Sequence, residues 1–172
     1  LGEENITSGL CSFLFAIILV LFYMIFYYKR AGWVANVALI ANVFFIIGTV
    51  ASLGAALTLP GIAGLVLTIG MSVDANVLIY ERIREELRIG SSPGQAIALG
   101  YEKAFATILD ANITTFIVSI VLYTLGSGMI KGFAITLIIG LICSMVSSVY
   151  ATRIITNSIQ PRIHDLHSAI GI

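Results

Sequence analysis

Leu65-Val-Leu-Thr-Ile-Gly-Met-Ser-Val-Asp-Ala-Asn-Val-Leu-Ile-Tyr80 is a run of apolar and small residues with one acid, Asp74, set inside it. Ala104-Phe-Ala-Thr-Ile-Leu-Asp-Ala-Asn-Ile-Thr-Thr-Phe116 repeats the arrangement around Asp110, with the same Asp-Ala-Asn triplet at 74–76 and 110–112. A charge at the centre of a membrane helix costs about 2.5–3.5 kcal/mol on insertion scales. Acids that persist there usually face a bundle interior and serve ion or proton movement. Two such acids in matching settings read as a working site.

The whole chain is as apolar as these stretches. Of its 172 residues 59% are hydrophobic and 10% charged, against about 25% charged in an ordinary soluble domain. Mean hydropathy is +1.04. These values define an integral membrane protein. The zero net charge gives nucleic acid no footprint. Cys11 and Cys143 lie in apolar segments without CxxC spacing and read as small core residues; His164 and His167 read as solvated, with no metal-site pattern around them. The chain opens Leu1-Gly-Glu-Glu-Asn5, with no initiator Met and no basic leader, as expected of a piece continued on its N-terminal side.

About 20 residues cross the hydrocarbon as a helix. Five segments qualify, at about 8–28, 34–53, 60–80, 104–124 and 133–155. The fold expected is therefore an all-α, five-span helical bundle, with a transmembrane domain over 1–158 and a cytoplasmic tail or linker over 159–172. The first span ends in Tyr23, Phe26, Tyr27 and Tyr28 followed by Lys29 and Arg30, an aromatic belt and then a charge anchor. The stretch 81–103 is too charged to span. It reads as two short amphipathic helices at the interface, broken at 90–94.

In this layout Lys29, Arg30, Arg82, Arg84, Arg88, Lys103, Arg153 and Arg162 fall on one side and Lys131 on the other. The positive-inside rule makes the crowded side cytoplasmic, with the N-terminus outside and the C-terminus inside. Asp74 is six residues from Tyr80 and Asp110 seven past Lys103, so each lies about 10 Å inside the cytoplasmic edge at 1.5 Å per residue. The carboxylates share a layer; contact between them does not follow.

Helices in lipid pack through small residues. Thr136, Gly140, Ser144, Ser148 and Thr152 form such a seam at four-residue spacing. Gly70, one turn before Asp74, offers a seat for a partner helix. Thr107, Asp110 and Thr114 share a face, which gives Asp110 hydroxyl neighbours. Asn76 and Asn112 point about 200° from the Asp two residues before each, and are expected to hydrogen-bond to neighbouring helices. A neutral carboxyl is tolerated in hydrocarbon far better than a carboxylate. An Asp exposed alternately to the two sides therefore takes up a proton outside and releases it inside, gaining about 2.3 kcal/mol per 100 mV. No Lys or Arg lies mid-membrane, so any cationic counter-ion has to come from a partner.

Leu59–Leu87, Thr107-Ile-Leu-Asp-Ala-Asn-Ile-Thr-Thr115 and Gly126-Ser-Gly-Met-Ile-Lys-Gly-Phe-Ala-Ile-Thr-Leu137 closely resemble the SecD family of protein-export membrane proteins, part of the SecD/SecF group of the RND superfamily. The three stretches cover about half the chain, in the family's order. Met129 and Ser127 stand where Pro and Thr are common. The resemblance implies one RND-type membrane half, spans two to six, without its first span and periplasmic domain. It implies proton-motive-force-driven preprotein export, with SecF (separate or fused) and the SecYEG channel as partners, in a bacterial or archaeal cytoplasmic membrane. It makes Asp74 and Asp110 the proton relay, and Glu81, Arg82, Glu85 and Glu86 a cytoplasmic motif. No cofactor is implied beyond protons as coupling ion.

Three other readings stay open on residues alone. One is another RND-type exporter, for lipid or small molecules. A second is an intramembrane aspartyl protease, which also needs two Asp on adjacent helices; Met71-Ser-Val before Asp74 and Leu109 before Asp110 do not match its Gly-x-Gly and Tyr pattern. In the third, both acids only brace helices.

Overall fold

The computed structural model describes residues 2–52 and 58–147. Four helices make up this part: α1 (Gly2–Ser52), α2 (Leu59–Ile89), α3 (Pro93–Leu125) and α4 (Met129–Met145). No strand occurs among the described residues. The protein is an all-α membrane bundle, as the hydropathy pattern requires.

Although helical throughout, α1 is not one rod. Lys29 has φ 50° and ψ −116°, and the chain doubles back there. The proof is a hydrogen bond: Asn36 Nδ2 donates to the Leu21 carbonyl at 3.1 Å. In a straight helix these residues stand about 22 Å apart. The halves, 2–28 and 30–52, are thus the first and second expected spans. A positive φ at a non-glycine residue costs on the order of 1–3 kcal/mol and persists only where its surroundings hold it. Here Tyr80 Oη donates to the Ala31 carbonyl at 3.0 Å, and Tyr28 Oη donates to Glu81 at 3.0 Å. Tyr28 is buried, so it is a pin between α1 and α2 rather than a member of a lipid-facing belt; Tyr27 and Phe26 remain exposed.

The stretch 81–103 differs from expectation. Its two short interfacial helices are the continuous ends of α2 and α3. Gly90 alone makes the break, capping α2 in the left-handed conformation (φ 99°), where its N–H reaches the carbonyls of Glu86 and Leu87. Ser92 and Pro93 restart the chain as α3, with Gln95 Oε1 accepting from the Ser92 hydroxyl at 3.0 Å. The charged residues interrupt the hydropathy, not the helix: Glu, Arg and Leu are all good helix formers. The two ends form a tight hairpin. A Cβ on Gly100 would lie 2.6 Å from Ile83 Cγ1, so only glycine lets α3 approach α2 so closely.

The core has two layers. Leu39, Ile46, Val50, Leu65, Ile69 and Ile139 form one; Met24, Tyr28, Ile79, Tyr80, Ile83, Ile97 and Tyr101, among others, form the second, nearer the Gly90 turn. The small-residue seam of α4 packs on α2. A Cβ on Gly140 would lie 2.5 Å from Thr68 Cγ2, and Thr136 fills the space beside Gly64. Ser144 Oγ accepts from Asn42 Nδ2 at 3.2 Å and donates to the Thr68 carbonyl at 3.4 Å. Ser148, Thr152, the end of the fifth expected span, His164, His167 and the 159–172 tail lie outside the described residues. Cys143 is half-buried, whereas Cys11 is exposed on α1 and is not the core residue expected.

Candidate functional site

The chain's basic residues sort by bundle end. Tyr28, Ala31, Tyr80 and Glu81 meet at one end, which carries Lys29, Arg30, Arg82, Arg84, Arg88 and Lys103. Lys131 sits at the other, one residue before Gly132, whose Cα faces Thr58 at the start of α2.

Asp74 sits on α2 at the edge of a groove of about 180 Å³ between α2 and α3. Met71, Ala75 and Leu78 line it from α2; Thr107, Ile108, Ala111 and Asn112 line it from α3. Asp74 is exposed at the surface of the chain and Asn76 is almost wholly buried on the far side of α2. That opposition is the 200° separation two helical residues impose. The structure therefore brings Asp74, Thr107 and Asn112 together. Asn112 belongs to the Asp74 groove rather than to the Asp110 face.

Asp110 is exposed and not part of the groove wall. Its expected hydroxyl neighbours are turned to other work. Thr114 Oγ1 donates to the backbone carbonyl of Asp110 at 2.9 Å, and Thr107 Oγ1 to that of Lys103 at 3.4 Å. Threonine in a helix commonly satisfies itself this way. Gly70 faces open space: a Cβ there would meet nothing within 4 Å. The face bearing Gly70 and Asp74 is thus unfilled by the described residues. No Lys or Arg lines the groove.

Below the groove the charged motif divides into three arrangements. Glu81 accepts from Arg84 Nη1 at 2.8 Å as well as from Tyr28, and the Arg84 guanidinium lies 5.1 Å from the Tyr27 ring centroid and 5.9 Å from that of Tyr28. Glu86 is buried and accepts from Lys103 Nζ on α3, which closes the hairpin; Ser91 Oγ adds a longer bond at 3.4 Å. The ammonium beside it holds the Glu86 carboxyl below the usual carboxylate range, and Glu86 holds Lys103 above the usual lysine range. Arg82 and Glu85 pair at 2.7 Å in the open. The sequence places Tyr28 in an aromatic belt and Arg84 among the cytoplasmic basic residues, and does not pair them. The i, i+3 spacing of Glu81 and Arg84 and the break between the first and second expected spans are legible; which aromatic side chain turns inward is not.

A helical membrane bundle with an acid at an interhelical groove and a charged hairpin at one end defines the class: a polytopic membrane protein whose charged residues gather at one end of the bundle. The comparisons narrow it. Residues 1–162 match the family model described as protein export membrane protein SecD/SecF, C-terminal, and the chain belongs to that family. It is 53% identical over 155 residues to the protein translocase subunit SecD of Magnetococcus marinus, covering 90% of this chain and 30% of that protein. It is 56% identical over 155 residues to the SecD subunit of Rhodothermus marinus, covering 90% of this chain and 25% of that protein. The crystal structure of SecDF, a translocon-associated membrane protein from Thermus thermophilus, superposes with a TM-score of 0.90 at 40% identity, covering 94% of this chain and 23% of that one. The chain thus spans about a quarter to a third of the length of these relatives. The family is one of export membrane proteins and not of enzymes, which disposes of the protease alternative.

Proposed function

We propose that this chain is the membrane part of a SecD-type translocase subunit and couples proton flow down the proton-motive force to preprotein export. The observation that carries the reading is the exposure of Asp74 in the stretch 59–80 of α2, which holds no other charged residue, beside Thr107 and Asn112 and next to the open Gly70 face. A carboxylate facing lipid at that depth costs about 2.5–3.5 kcal/mol. In the assembled protein that face is covered, and the related membrane half of SecF, separate or fused, is the partner that covers it. The counter-ion this groove lacks comes from that half.

Asp74 takes the proton from the outer side and releases it to the cytoplasm, and Asp110 serves as the second acid of the relay on the next helix. Gly70 seats the facing helix, and Asn76, Asn112, Thr107 and Thr114 brace the carboxylates' helices. Glu81, Arg82, Glu85 and Glu86 form the cytoplasmic end, through which motion in α2 and α3 is held in register. The chain lies in the bacterial or archaeal cytoplasmic membrane with its N-terminus outside and its C-terminus inside. Protons are the coupling ion, no other cofactor takes part, and the SecYEG channel supplies the substrate polypeptide.

The test is Asp74→Asn in the full-length subunit with its partners. Proton-gradient-dependent export is expected to fall to background, while abundance and co-purification with the partner stay unchanged. Export at the normal rate would remove Asp74 from the mechanism.

A further inference from the structure

Because α2 runs unbroken through Tyr80, two cavities lie end to end along one of its faces. The first is the Asp74 groove. The second, of about 310 Å³, is lined by Leu78, Glu81, Arg82, Glu85 and Arg88. Leu78 is a wall of both. At 100° per residue Asp74, Glu81, Arg82 and Glu85 all project within about 60° of Leu78. Asp74 is one turn before it, about 6 Å along the axis, and Glu85 two turns after, about 10 Å. Above Leu78 the lining is apolar apart from Asp74, Thr107 and Asn112; below it, every other lining residue is charged.

We infer that Leu78 is a hydrophobic plug between the proton site and a charged cytoplasmic vestibule, and that Glu85 receives the proton beyond it. The route rests on the proposed role of Asp74; the plug does not. Leu78 is half-buried and packs against the edge of the core layer nearer the Gly90 turn, so one side of it faces the cavities while the other is held by the core. With the plug aside, water bridges the gap. The proton passes from the Asp74 carboxyl to water and then to the Glu85 carboxylate, and from there to bulk cytoplasmic water, so that nothing is consumed. Glu81 is the poorer acceptor, because Tyr28 and Arg84 already occupy it. Glu85 is half-exposed and is paired with an Arg82 that is itself partly open to solvent.

The experiment uses the full-length subunit with its partner, natural cysteines replaced and Thr107→Cys placed in the groove, in inverted membrane vesicles. A membrane-impermeant methanethiosulfonate reagent is added to the cytoplasmic face. Leu78→Ala should raise the labelling rate at least tenfold and Leu78→Trp should lower it. Rates unchanged by both substitutions would overturn the plug. Glu85→Gln should slow proton-driven export severalfold while leaving labelling as it was; normal export would strike Glu85 from the route. Plug and carrier fail separately. Faster labelling in Leu78→Ala beside normal export by Asp74→Asn keeps the plug and loses the carrier. Unchanged labelling beside a dead Asp74→Asn does the reverse.

Discussion

Helix α2 has one face that the described residues cover and one that they leave open. On the covered face Gly64, Thr68, Ser72 and Asn76 are buried, and α4 lies close enough that Gly140 touches Thr68. On the other face Gly70 meets nothing and Asp74 is exposed. Both faces are built from small and polar residues in the same apolar helix. Composition therefore does not distinguish a seam that holds the bundle together from a seat kept for another body; the occupancy of the space above each residue does. Small residues let helices approach, and in lipid that approach is most of what association has to work with.

The contrast is broken most sharply by filling each face in turn. Gly140→Leu forces a branched side chain into a gap already closed by Thr68. Overpacking of this kind costs about 1–3 kcal/mol, occasionally more. The described bundle is expected to lose its thermal transition in detergent or to shift it far downward. Gly70→Leu should leave that transition in place, because the space is open, yet weaken co-purification with the partner in the full-length protein. Equal destabilisation by both variants would abolish the distinction between the faces.

How far the residues alone disclose this is instructive. The first four spans and the part of the α4 seam from Thr136 to Ser144 follow from hydropathy and spacing, which are local properties; the fifth expected span runs past the described residues. The continuation of α2 to Ile89 and of α3 back to Pro93 does not follow from them, because charge interrupts the hydropathy where helix propensity recognises no boundary. The turn at Lys29 falls in the gap between the first and second expected spans, though nothing local marks Lys29 as the residue that takes the positive φ. The separation of Asp110 from the Asp74 groove depends on how α3 is rotated against α2, a consequence of the Gly100–Ile83 contact that no single-helix projection contains.

A smaller effect sharpens the covered face. Ser144 joins three elements: it accepts from Asn42 and donates to the Thr68 carbonyl. Interhelical bonds in membranes average about 0.6 kcal/mol. Ser144→Ala also leaves the buried Asn42 amide without that acceptor, so about 1 kcal/mol is expected, seen as a modest fall in the same transition. Ser144→Gly should cost about 0.5–1 kcal/mol more, from the added backbone freedom of a glycine inside α4. A loss as large as that of Gly140→Leu would mean that hydrogen bonding, and not close approach, holds α2 to α4.

The least effect is confined to the hairpin, which neither face of the membrane segment touches. Glu86 is depressed by Lys103, so in the folded chain it stays ionised to a lower pH than in the unfolded chain. Its contribution is fully present above the ordinary carboxylate pKa, about 4.3, and is lost as pH falls through the lower folded value. Amide exchange across 86–103, followed from pH 7 downward, should stay slow relative to intrinsic rates until below that range and then quicken, while exchange in 60–70 remains unaltered. Lys103→Met removes the cause and should bring the loosening to higher pH. If the membrane segment loosened in step with the hairpin, the two ends of α2 would be one cooperative unit, and the plug at Leu78 would sit in its interior rather than at a boundary between two.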